Sequence, residues 1–161
     1  MKKYTLVAVL AILAISSPAL AARVGVVTTF PDGRTSATCV SVEDGATAQD
    51  ALRATGMNTE WKEFPPFGDA LTRINDVGCH ADNPFCECGP PFECCLIWNF
   101  YTMEAGQNTW IIRFDVGYSG FVVEDGDVIG SIWGPHPGNS PPLKKFSELK
   151  GLCPKTKTTR S

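Results

Sequence analysis

The chain has 161 residues, with 14 Lys and Arg against 17 Asp and Glu and a net charge of −3 at pH 7. That length suits one domain, and a mildly acidic chain without a Lys/Arg cluster in its folded part lacks the basic surface on which nucleic-acid binding rests.

Lys2 and Lys3 precede an uncharged apolar run over residues 6–15, Pro18 breaks the run, and Ala19-Leu20-Ala21 is a small-x-small cleavage site. This is the order of a signal peptide over residues 1–21. The run is shorter than the roughly 20 apolar residues that a membrane span needs, and no later stretch has that length. The expectation is therefore an exported chain, periplasmic or secreted, with no transmembrane segment after cleavage. Taking Lys2 and Lys3 from the 14 basic side chains leaves 12 against 17 acidic ones.

Residues 23–30 (RVGVVTTF) and 35–42 (TSATCVSV) have strand composition, and the Pro31-Asp32-Gly33-Arg34 turn between them predicts a hairpin. Thr47 with Asp50 three residues on predicts a capping box. It opens a helix over residues 48–55 whose inner stripe is Ala48, Ala51, Leu52 and Thr55, with Gly56 as its stop. Residues 57–68 read as irregular, and 70–77 as a short strand or extended loop. Residues 96–103 and 110–114 read as a strand pair across a turn, and 128–133 as the last strand. Residues 135–161 read as a Pro-rich linker and C-terminal tail, with a helical turn near 146–152 that Cys153 pins back.

Residues 78–95 (GCHADNPFCECGPPFECC) hold five of the seven cysteines. Cys39, Cys79, Cys86, Cys88, Cys94, Cys95 and Cys153 are all disulfide candidates, because thiols oxidise outside the cytoplasm. Cys94 and Cys95 are expected to bond to different partners, since adjacent strand positions face opposite ways. Cys39 and Cys153 are natural long-range partners. The alternative reading is a metal site on Cys79, His80, Cys86, Cys88 and Cys94. Zinc ligand pairs usually stand two to four residues apart, whereas here the pairs are one apart or adjacent. A dithiol enzyme normally needs Cys-x-x-Cys at a helix start, and Cys86-x-Cys88 has neither feature.

Four phrases in order resemble one family. Residues 45–52 (GATAQDAL) resemble the helix entry of the transcobalamin C-terminal-like domain. Residues 68–78 (GDALTRINDVG) are similar to its following segment, Trp98-Asn99-Phe100-Tyr101 to its aromatic strand, and residues 117–129 (GYSGFVVEDGDVI) to its closing phrase. Asp76 and Thr102-Met103-Glu104 depart from that pattern, and the cysteine-rich segment is longer. The resemblance covers about residues 23–133. It implies an α+β, β-grasp-like mixed sheet packed on one helix over residues 22–134, here with a disulfide-rich loop insertion. It also implies a module of exported and cell-surface proteins. Cobalamin enters only by family analogy, and the helical domain that completes the vitamin site in cobalamin carriers is missing from this sequence.

His80 and His136 are the only histidines, and neither sits in a known nucleophile or metalloprotease motif. Asp125 and Asp127 read as turn residues around Gly126. One helix on a sheet is expected to leave its second face open, which makes Tyr101 a binding candidate. Trp61 and Phe67, in a loop beside prolines, are the others. The functional expectation is an exported, non-enzymatic binding domain for a small molecule, a glycan or a surface protein. The alternative is a metal- or thiol-handling protein.

Overall fold

Val24 and Val26 on one side of the first strand and Gly25 and Val27 on the other are both covered, which is the pattern of a strand buried on two faces. The computed structural model describes residues 21–86, 88 and 95–155, and there β1 (Ala22–Thr29) is a central strand. It pairs antiparallel with β2 (Thr35–Val42), from Ala22 opposite Val42 to Thr29 opposite Thr35, across the expected turn. The Asp32 carboxylate accepts from the Arg34 N–H at 3.0 Å and from its guanidinium, and Gly33 takes φ 81°. On its other side β1 runs parallel to β8 (Val128–Pro135). With β6 (Leu96–Met103) and β7 (Ile111–Ile112) the five-stranded order is β2-β1-β8-β6-β7. A three-stranded antiparallel sheet holds β3 (Thr59–Phe64), β4 (Gly68–Ile74) and β5 (Val77–Gly78) in that order. The fold is thus α+β and mostly strand.

The helix α1 (Ala48–Arg53) is two residues shorter than expected but starts as expected. The Asp50 N–H donates to Thr47 Oγ1 at 3.3 Å, and the Thr47 N–H donates to Asp50 Oδ2 at 2.9 Å. These bonds from Thr47 hold the Asp50 carboxyl below its usual range. A carboxyl depressed in the folded state stabilises above its unfolded value of roughly 3.9 and loses that contribution as pH falls through the folded one. Thr47→Ala is expected to cost about 1 kcal/mol in a urea melt at pH 7, and visibly less at pH 3.

Ala48, Ala51 and Leu52 pack with Val24, Val26, Val40, Phe100 and Ile129, and Leu71 and Ile74 of the second sheet close this core. Tyr118 stacks on Phe100 with ring centroids 3.9 Å apart, and its hydroxyl meets Ser131 Oγ at 2.9 Å. Burial pushes that phenol far above its ordinary pKa.

The second face of the large sheet is not open. Residues 136–153 return across it. Leu149 of α2 (Phe146–Leu149) packs on Val27, Met103 and Val128, with Phe146 and Trp110 at the margin. Two glycines make room: a Cβ at Gly25 would lie 2.8 Å from Leu149, and one at Gly130 3.0 Å from Pro141 and Trp110. The Cys39–Cys153 disulfide ties the end of this segment to β2. The segment that reads as a linker and tail is therefore, through Cys153, part of the packed domain, because Phe146 and Leu149, three apart, give it an apolar stripe.

Two other expectations change. Residues 59–64 form a strand despite their charges and adjacent prolines, with a register shift at Glu60/Trp61. Of residues 110–114 only Ile111 and Ile112 pair as strand. Among the described residues no helix is long and apolar enough to cross a membrane, and the three disulfides are compatible with an oxidising, extracytoplasmic location. The predicted signal peptide, residues 1–21, lies outside the described residues except for Ala21.

Candidate functional site

Gly78 turns the chain out of β5 with φ 109°, a conformation open to glycine and few others. The turn is tied on both sides: the Cys79 N–H donates to the Thr72 carbonyl at 3.0 Å, and Trp98 Nε1 donates to the Val77 carbonyl at 3.3 Å. The Cys79–Cys86 disulfide then closes a short loop, and Cys88–Cys95 closes the next one before β6.

The first loop lies on β3. Glu60 and Phe64 flank Lys62 at alternate positions. Glu60 accepts from the Ala81 N–H at 3.2 Å and contacts His80 Nδ1 at 3.2 Å. Arg73, directly across from Glu60 on β4, lies 2.7 Å from His80 Nε2. The same guanidinium nitrogen lies 3.0 Å from His80 Nδ1, so the imidazole is held between Arg73 and Glu60. Desolvation raises the Glu60 carboxyl, but Ala81, His80 and Arg73 outweigh it and hold the group below its usual range. At the other end of the loop Phe85 packs against Phe64, ring centroids 5.7 Å apart.

Between this loop and the large sheet lies an apolar cleft. Phe64, Pro84 and Phe85 form one wall and Ile97, Trp98 and Trp133 the other, over a floor of Ala70, Leu71 and Thr72. It holds about 60 Å3, less than half the roughly 150 Å3 of an apolar cavity that takes benzene. The Trp98 and Trp133 rings lie 5.7 Å apart. Phe85 is 41% exposed at the rim, whereas Trp98 below it is 4% exposed. The Thr72 hydroxyl is buried without a hydrogen-bond partner among the described residues. Wider depressions of about 480 and 500 Å3 lie over the turns around Asp44 and Asp125, the second of them bordered also by Ala21, Ala22 and Arg23.

The sequence candidates separate. Tyr101 is 5% exposed, and its hydroxyl donates to the Gly138 carbonyl at 2.9 Å, so it belongs under the returning segment and not to a surface. Trp61 is half-buried against Tyr118 at 5.3 Å, with the Arg53 guanidinium 5.5 Å from its ring. Phe67 is 51% exposed. Cys39 pairs with Cys153, Cys79 with Cys86 and Cys88 with Cys95. Cys94 lies outside the described residues. Of the proposed metal ligands, Cys79, Cys86 and Cys88 are consumed in disulfides and His80 is engaged by Glu60 and Arg73. Among the described residues no three His, Cys, Asp or Glu side chains converge on a metal position. Asp127 accepts from the N–H groups of Ala105 and Glu124, both at 2.9 Å, and Asp125 grips Arg23, which is turn chemistry.

Sequence reasoning missed Phe85, Ile97 and Trp133 as partners in one cleft. The signal present was aromatic residues inside and just after a disulfide loop, but only pairing of β6 with β8 places Trp133 opposite Trp98. No family model matches the chain, and no curated protein matches it.

Proposed function

We propose that this chain is an exported, non-enzymatic binding domain of β-grasp type, resembling the transcobalamin C-terminal-like domain, and that it binds an apolar group in the cleft beneath the Cys79–Cys86 loop. The strand order, with the first and last long strands parallel at the centre and one helix after the first hairpin, supports the β-grasp reading. The observation that carries the binding reading is the cleft: aromatic walls, a small apolar opening, and a rim fixed by a disulfide and by the Glu60–His80–Arg73 contacts. Ligand sites are concave, apolar and largely preformed, and a rim pinned at both ends loses little freedom on binding.

The test is an NMR titration of the oxidised exported chain with toluene as probe. Shifts are expected at Phe85, Ile97 and Trp133, with little change at Trp110 or Tyr101. Phe85→Ser removes one wall and is expected to weaken binding at least tenfold while leaving the fold intact, since Phe85 lies at the rim. Saturating toluene that shifts none of the three residues overturns the proposal.

A further inference from the structure

β2 is an edge strand of the large sheet, and its outer side is bare. The Phe30 N–H donates to the Arg34 carbonyl at 2.9 Å, and the Gly25 N–H turns to the β8 side, to the Asp127 carbonyl at 2.8 Å. Bonded pairs alternate along an antiparallel ladder, so the even-numbered residues of β2 bond to β1. Thr35, Ala37, Cys39 and Ser41 turn their N–H and carbonyl groups outward, and among the described residues none of these groups has a backbone partner. Over Thr35–Val42 there is no charge, no proline and no break in register. Natural edges are usually blunted by one of these, and a bare edge is a template for another strand. The Cys39–Cys153 bond does not block it. Cys39 lies opposite Gly25, whose Cβ position meets Leu149, so the sulfur leaves through the covered face of the sheet.

We infer that a second copy of this chain pairs with this edge, β2 antiparallel to β2 about a two-fold axis at Cys39, so that the two large sheets become one. Charge selects both the occupant and the register. With Cys39 opposite Cys39, Ala37 meets Ser41 of the other copy, and the outward groups of these three residues exchange about six hydrogen bonds. The same register sets Arg34 of each copy against Asp44 of the other. The Arg34 side chain is 77% exposed, and Glu43 and Asp44 are exposed and in no ion pair among the described residues. The depression of about 480 Å3 bordered by Ser41, Glu43, Asp44 and Asp50 is where that guanidinium arrives. Sliding one copy by two residues sets Asp32 against Asp44, and sliding it the other way leaves Arg34 against Ala46. Leu152 is 56% exposed and adjoins Cys153, whose Cα lies 4.5 Å from that of Cys39. It stands beside the axis, which brings two exposed leucines together. An isologous contact of this kind closes at two copies. None of these residues lines the apolar cleft, so the inference stands apart from the binding reading.

The experiment is sedimentation equilibrium of the oxidised exported chain, with amide hydrogen exchange read residue by residue. A dimer fraction that rises with concentration is expected, and with it about tenfold slower exchange at Ala37, Cys39 and Ser41 than in dilute protein. Ser41→Pro removes one outward N–H and takes nothing from the ladder with β1. It is expected to keep its fold by circular dichroism and to lose the dimer. Arg34→Glu and Asp44→Arg each put like charges together at both ends of the contact and are expected to weaken association about tenfold. The double variant R34E/D44R restores opposite charges and is expected to return to within about threefold of the unmodified chain. A single variant that had merely lost its fold would not be rescued in this way. A chain that stays monomeric up to about 1 mM, the weak limit of specific association, overturns the inference. A dimer that Ser41→Pro leaves intact, or one that protects other amides, overturns it as well. Failure of the double variant to recover overturns the register on Cys39.

Discussion

Replacing both Cys39 and Cys153 with alanine is expected to lower the unfolding free energy by about 5 kcal/mol, the loop-entropy value for a cross-link of this span. The two residues are 114 apart in sequence, so the bond removes far more freedom from the unfolded chain than the short bridges do. The same relation gives about 2.5 kcal/mol for Cys79–Cys86, whose separation is 7. The long bridge also holds the segment that covers Val27, Met103 and Val128, so its loss exposes apolar surface as well. Denaturant melts of the two double variants, each with its remaining disulfides intact, check the ranking. If the Cys79/Cys86 variant loses as much as the Cys39/Cys153 variant, the returning segment is held by packing alone and the bridge adds little.

The second large effect is at Gly78. A Cβ there would sit 2.2 Å from the Thr72 carbonyl oxygen and 2.9 Å from Trp98 Nε1, and the backbone has φ 109°. Neither neighbour is the free end of a flexible chain: one is backbone, and the other is a ring fixed by its hydrogen bond to Val77. Gly78→Ala is expected to cost about 3 kcal/mol, from strain and displacement together. Gly45 is the control. It has φ 79° with nothing within 4 Å of the added carbon, so Gly45→Ala carries only the conformational cost, about 1 kcal/mol. Thermal melts of the two variants are expected to differ clearly, and equal shifts would refute the steric account. Because Gly78 precedes Cys79 and abuts Trp98, its substitution is also expected to weaken toluene binding in the cleft.

What could be read in the sequence was what neighbouring residues decide. Thr47 and Asp50 announce the helix start because a capping box is a four-residue object. The β1–β2 hairpin follows from Asp32 and Gly33 for the same reason. The strand β3 was hidden because its residues, TEWKEF, alternate poorly: the register shift between Glu60 and Trp61 breaks the period of two that marks a strand. The covered second face was hidden because it depends on contacts between Leu149 and Gly25, more than 100 positions apart. Gly25 and Gly130 were the available clue, since a glycine inside a strand often marks close approach by another part of the chain. Tyr101 was assigned to the correct face of β6 and to the wrong environment, because alternation gives direction and not cover. The cleft required three segments to meet, and its walls on Phe64, Phe85 and Trp133 share no local pattern.

The parallel pairing of β1 with β8 has a consequence for the order in which the molecule can be made. Gly25 pairs with Val128, so the first strand delivered waits for the last long one. A chain released N-terminus first has only the β1–β2 hairpin, a short helix, the small β3-β4-β5 sheet and β6 until then, and a small isolated sheet is marginal in water. Val24, Val26 and Val27 stay unpartnered on one edge until roughly four-fifths of the chain has emerged. The large sheet is complete only when β8 arrives, and the later meeting of Cys39 with Cys153 then fastens it.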